Sequence, residues 1–216
     1  MASRGFGVAS NSTSISVAEP ATVVTDYLIA GACGYFAFSL AMSGASTDWV
    51  LGFVLGGLSA LVGGTVHGFP ELGGKRGHEV LWSLTLLLFG ASAAAFGAGA
   101  LSVAYVGMPR FVVQLAAVAA LGAYVFSIVR KPQFRTAGKM TLLMLAAFWA
   151  MSVSLALRDY TTLAGLMVAC VLLNAAGIAV QMIKLAPHPR FNHNDLFHVF
   201  QLAALWCLYL AVRAIS

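Results

Sequence analysis

The five histidines of this 216-residue chain fall in two places. His67 and His78 lie around residue 70, and His188, His193 and His198 around residue 190. The densest run is Asn192-His193-Asn194-Asp195-Leu196-Phe197-His198, which opens the last apolar stretch. On a helix, Asp195 and His198 stand three positions apart and Asn194 and His198 four, so each pair shares a face. Gln201 continues the face of Asp195 and His198. A carboxylate and an imidazole one turn apart can ligate one metal ion, or the carboxylate can orient the imidazole from behind. A third ligand from His67 would complete a three-ligand set with a position left for water, as in catalytic zinc sites. His193 is a further candidate ligand, and His78 and Glu79 are candidate general acid/base groups.

Most of these residues have a plainer role open to them. His67 could simply meet the last carbonyls of a helix and its dipole. His193 could be a loop or capping group, and Asn194 or Asp195 the N-cap of the last helix, which needs a side-chain acceptor. The pair His78-Glu79 could be a polar helix start, with the carboxylate favoured by the dipole. His188, between Pro187 and Pro189, reads as a solvated surface residue. His198 is the strongest candidate, because an imidazole inside an apolar span is costly without a purpose.

The elements that must position these residues are membrane spans. The chain is 60% hydrophobic and 9% charged, with mean hydropathy +0.89, whereas soluble domains carry roughly 25% charged residues. Seven apolar stretches, approximately 26–45, 48–67, 79–106, 110–129, 139–158, 160–184 and 195–214, each approach the ~20 residues that cross a bilayer. All six prolines fall between or before them, as expected of a residue that breaks helix interiors. The expected fold is therefore an all-α, polytopic bundle of seven transmembrane helices over residues 26–216, preceded by a flexible tail, residues 1–25. That tail holds a weak glycosylation sequon, Asn11-Ser12-Thr13, and lacks the pattern of a cleaved signal peptide. Glycine with Ala and Ser suits close helix packing in lipid.

Net charge +5 does not point to nucleic acid, because the basic residues sit between spans. Arg4, Lys75, Arg76, Arg130, Lys131, Arg135, Lys139, Lys184 and Arg190 fall on the N-terminal side, and Arg110, Arg158 and Arg213 on the other. This asymmetry predicts a cytoplasmic N-terminus and an outer C-terminus, in an inner or plasma membrane. All five histidines then share the cytoplasmic face. Cys33, Cys170 and Cys207 lie inside apolar stretches and read as inert thiols. Asp48 reads as an exposed residue at the outer start of the second span, with Thr47 as the cap of that helix, and Asn174 and Gln181 as interhelical hydrogen-bonding groups on one face.

The layout of seven spans, an inside N-terminus, a histidine ending the second span and a histidine-bearing start of the seventh resembles the CREST superfamily. That superfamily includes alkaline ceramidases, progestin and adiponectin receptors, and hemolysin III-like proteins. It carries Ser-x-x-x-His in helix 2, Asp in helix 3 and His-x-x-x-His in helix 7, and its histidines bind zinc. On that resemblance His67 matches the helix 2 histidine and His198 the second histidine of helix 7. The resemblance implies a zinc-dependent hydrolase of lipid amides or esters, with membrane lipid as its partner. Three positions depart from the pattern. The first helix 7 histidine is Asn194, with His193 displaced by one residue and ~100° around the helix. The helix 2 serine is Gly63, and no Asp lies in helix 3, where Glu79 or His78 would substitute. Residues 192–201 also look like the signature of a small seven-span family, without an assigned function, at the edge of CREST.

A different class remains open: a non-enzymatic subunit or binding module of a larger membrane assembly, with the histidines as structural groups or as ligands to a haem or other tetrapyrrole. A receptor fits less well because the outer loops are short. The polar lining of a channel and the paired broken helices of a secondary transporter are not in the sequence.

Overall fold

The computed structural model describes residues 17–216; the sequon at Asn11 and the tail before residue 17 lie outside the described residues. Seven helices follow in order: α1 (Pro20–Met42), α2 (Thr47–Gly68), α3 (Gly74–Ala104), α4 (Arg110–Arg130), α5 (Phe134–Ala156), α6 (Thr161–Ile183) and α7 (His193–Ile215). Each is long and apolar enough to cross a membrane. That makes the chain an integral membrane protein of the all-helical class, because a helix satisfies its own backbone in lipid. No β-strand forms among the described residues; His188 and Phe191 make one isolated bridge.

Proline and left-handed residues set the boundaries. Pro20 occupies the first turn of α1, where its missing N–H was unneeded and its fixed φ suits the helix. Pro109 is the N-cap of α4, and Lys184 ends α6 in the left-handed region with φ 52°. α1 thus begins earlier than the residue 26 that hydropathy alone suggests. α3 likewise starts at Gly74 rather than 79, which places His78 and Glu79 inside the helix instead of at its opening.

The helices close a ring. α1 packs on α2, α2 on α3, α3 on α5, α5 on α6 and α6 on α7, and α7 returns to α1. α4 lies outside this ring, held mainly by α3. A continuous apolar cluster including Leu40, Phe53, Phe96, Phe148, Met151 and Leu208 fills the half of the ring remote from the start of α1. Phe36 stacks on Tyr209 there, with ring centroids 4.5 Å apart. In lipid this packing works through dispersion and close fit rather than water exclusion. In the other half a second apolar cluster, including Leu86, Tyr124, Ile128 and Met140, joins α3, α4 and α5, and the polar side chains gather between α1, α2 and α7.

Two expectations outside the site need correction. Asp48 is not a free exposed acid: it forms a 2.9 Å ion pair with Arg110, and Ser46 rather than Thr47 is the N-cap of α2. The Asn174 amide turns back to the Cys170 carbonyl of its own helix at 2.9 Å. Gln181 does bond between helices, donating to Asn194 Oδ1 at 2.9 Å.

Candidate functional site

The start of α7 is fixed by its own sequence. Asn192 is the N-cap, and its side-chain oxygen accepts from the backbone N–H of Asn194 at 2.7 Å and of Asp195 at 3.4 Å. Asp195, three residues into the helix, accepts the Asn192 N–H on Oδ2 at 2.7 Å. The two close a reciprocal capping box, which satisfies donors that a helix start leaves orphaned. The cap is therefore Asn192 rather than Asn194 or Asp195, and His193 is the first helical residue instead of preceding the helix.

α1 supplies the facing wall. Thr22, Asp26, Ile29, Cys33, Phe36 and Leu40 are buried along it at helical spacing, so polar and apolar residues share one inward stripe. The Thr22 hydroxyl donates to Asp195 Oδ1 at 2.7 Å. Both oxygens of Asp195 are then engaged. Glu19 Oε2 also lies 3.0 Å from the Thr22 hydroxyl, which has a single proton to serve two carboxylates.

One turn deeper, Thr25 meets His198. The Thr25 hydroxyl donates to the Thr22 carbonyl at 3.0 Å and stands 2.9 Å from His198 Nδ1. With its one proton on the carbonyl, the hydroxyl accepts from His198, an arrangement that assigns the ring proton to Nδ1. That leaves His198 Nε2 as a bare lone pair facing Asp26 Oδ1 at 3.4 Å. Asp26 is 5% exposed, and its Oδ2 has no hydrogen-bond partner among the described residues. A buried carboxyl group with one unpartnered oxygen, about 9 Å along a membrane helix at 1.5 Å per residue, is the least satisfied group of the site.

α2 and α3 complete the surround. His67 Nδ1 lies 3.5 Å from Glu19 Oε2, which in turn lies 3.0 Å from the Thr22 hydroxyl that bonds Asp195. Gly64 lets the helices approach, since a Cβ there would stand 2.9 Å from Asp26 Cβ. A cavity of about 270 Å³ opens beside the cluster, lined by Glu19, Val66, His67, Pro70, His78 and Trp82 among others.

The structure thus gathers His67, Asp195 and His198 at one end of the bundle and puts His78 on the wall of the adjoining cavity. Glu79 is exposed and does not line that cavity. His193 is half-buried and hydrogen-bonds to none of this cluster. Asn194 turns to Gln181 on α6. His188 is exposed in the α6–α7 loop, where its Nδ1 accepts the Arg190 N–H at 3.1 Å. Sequence reasoning missed the whole contribution of α1: Glu19, Thr22, Thr25 and Asp26. Pro20 was the available signal, because a proline in the first turn starts the helix before these residues.

Three carboxylates therefore meet two imidazoles, and no lysine or arginine pairs with them among the described residues. The two imidazole–carboxylate separations, 3.4 and 3.5 Å, exceed the ~2.7–3.2 Å of an N–H···O hydrogen bond. They match the ~3.4 Å between neighbouring tetrahedral ligands each ~2.0–2.1 Å from zinc. Among the described residues, no three His, Cys, Asp or Glu side chains converge on one point; the site stands as two neighbouring pairs. No curated protein and no solved structure matches the chain. A family model described as a family of unknown function (DUF6962) matches residues 21–216, and the chain belongs to that family.

Proposed function

We propose that this protein is a membrane-embedded, metal-dependent hydrolase of lipid amides or esters, of the alkaline-ceramidase type. Its site lies at the cytoplasmic end of the bundle, with the N-terminus inside and the C-terminus outside, in keeping with the nine-to-three distribution of basic residues. One observation carries the reading: imidazoles from α2 and α7 come to the same membrane end and each faces a carboxylate across 3.4–3.5 Å. The donor set fits zinc, since nitrogen and carboxylate oxygen are its usual ligands beside thiolate. The Asp26 oxygen without a hydrogen-bond partner among the described residues supports the reading, since a bound cation would engage it.

His67 and His198 would supply nitrogen, with carboxylate oxygen from the same cluster. Bound zinc supplies a Lewis acid for the carbonyl and a bound water of lowered pKa. The chain does the rest. Thr25 fixes the His198 ring so that Nε2 faces inward. Val66 and Trp82 give the cavity apolar wall for a lipid chain. His78, on that wall, would hand a proton to the departing amine or alcohol, in preference to Glu79, which does not line the cavity. Hydrolysis of ceramide and of a matched lipid ester by the purified full chain in detergent tests this. Cleavage that a zinc chelator abolishes and added zinc restores is expected. Inactivity toward both, in a protein with a Soret band or a stable co-purifying partner, would favour the subunit reading and end this one.

A further inference from the structure

Among the carboxylates of the cluster, Asp195 is the one that sequence spacing nominates as a ligand, three residues before His198. Its geometry says otherwise. Oδ2 accepts the Asn192 N–H and Oδ1 the Thr22 hydroxyl, both at 2.7 Å. A carboxylate with both oxygens so engaged is a strut: it ends the helix and ties α7 to α1. Glu19 lines the cavity with its side chain 41% exposed, and is the more distant of the two carboxylates at the single Thr22 proton. Asp26 is different in each respect. It is 5% exposed, Oδ2 is unpartnered, and Oδ1 faces a ring nitrogen that carries no proton in the tautomer Thr25 imposes. Two electron pairs facing each other in a membrane interior need a proton or a metal cation between them; their 3.4 Å separation is longer than a hydrogen bond through a shared proton and matches two ligands of one zinc.

We propose that Asp26 is a metal ligand of this site, paired with His198 Nε2 across the α1–α7 seam, and that Asp195 is a positioning residue. The inference rests on the metal-dependent reading above and changes which helix supplies the acidic ligand: α1, rather than α7 or α3. The local packing is consistent with it. Gly63 and Gly64 keep α2 close to Asp26 without filling the space at its oxygens. A Cβ at Gly63 would stand 3.9 Å from both of them. Thr25 holds the second nitrogen of His198, as the outer-shell partner of a ligating imidazole does.

The test uses the purified full chain, stripped with chelator and titrated with zinc chloride or cobalt chloride alone. Wild-type protein is expected to bind one zinc per chain. Asp26→Asn is expected to weaken zinc binding more than about 100-fold, beyond the ~10–100-fold of an outer-shell change, and Asp195→Asn about 10-fold or less. Asp26→Cys guards against simple misfolding. With cobalt it is expected to show a near-ultraviolet thiolate-to-cobalt charge-transfer band absent from wild type. Zinc bound as tightly by Asp26→Asn as by wild type, or cobalt bound by Asp26→Cys without that band, overturns the assignment of Asp26 and leaves the hydrolase reading standing. A wild-type chain that takes up no zinc overturns both.

Discussion

At Gly63 a Cβ would meet the Thr85 methyl at 3.3 Å and stand 3.9 Å from both Asp26 oxygens. Gly63→Ala would crowd Thr85 without helping Asp26. Gly63→Ser would add a hydroxyl within reach of the unpartnered Oδ2. A hydrogen bond to a charged group contributes about 1.5–3 kcal/mol, so metal-free Gly63→Ser is expected to be more stable than Gly63→Ala by about that amount in thermal unfolding. The same hydroxyl competes with an ion, and Gly63→Ser is expected to bind zinc more weakly than Gly63→Ala. Equal melting of the two variants would show that Oδ2 is already satisfied. At this scale the sequence was half legible. His67 and His198 stood out because imidazoles are rare in apolar stretches. Asp26 did not, because hydropathy put the start of the first span at that residue and made a buried acid look like a flank.

The capping box is the element-scale feature on which the site depends. It holds the first turn of α7, and Asp195 and His198 lie within its first two turns. Asn192→Ala is expected to lower stability by about 1 kcal/mol, the usual cost of losing a side-chain cap. Zinc affinity should fall with it, because the frayed turn no longer fixes His198 against Thr25. An Asn192→Ala variant with unchanged melting and unchanged metal binding would contradict that role. Distances within one helix were readable from spacing: the Asp195–His198 relation is a matter of three residues. Which carboxylate had free oxygens was not, because that depends on Thr22 from a helix 173 positions away in the chain. The partner of Asn174 was likewise invisible, since its amide had a backbone carbonyl one turn back within reach.

For the whole molecule, the seven spans could be read because prolines and polar connections punctuate them. The order in which they pack could not. Alternation brings the histidines to one end, but only the closing of the ring sets α7 beside α1. The ring also leaves α4 outside, which predicts a separation of roles. An added Cβ at Gly90 would collide with the Tyr124 ring, whose hydroxyl donates to the Leu86 carbonyl at 2.6 Å. Gly90→Ala is therefore expected to loosen α4 and cost about 1–3 kcal/mol, as overpacking does, while zinc affinity stays at the wild-type value. A parallel loss of metal would mean that α4 supports the site. The proposed orientation is read by a reporter fused after Ser216, which should respond only in the outer compartment; a signal from the cytoplasm would reverse the face on which the substrate is met. The central claim, that this cluster holds a catalytic metal, rests on one quantity above the others: zinc per chain, measured by elemental analysis of wild-type protein and His198→Ala purified side by side. The expected result is one zinc per wild-type chain and almost none in His198→Ala; no stoichiometric zinc in wild type, or the same content in both, would contradict it.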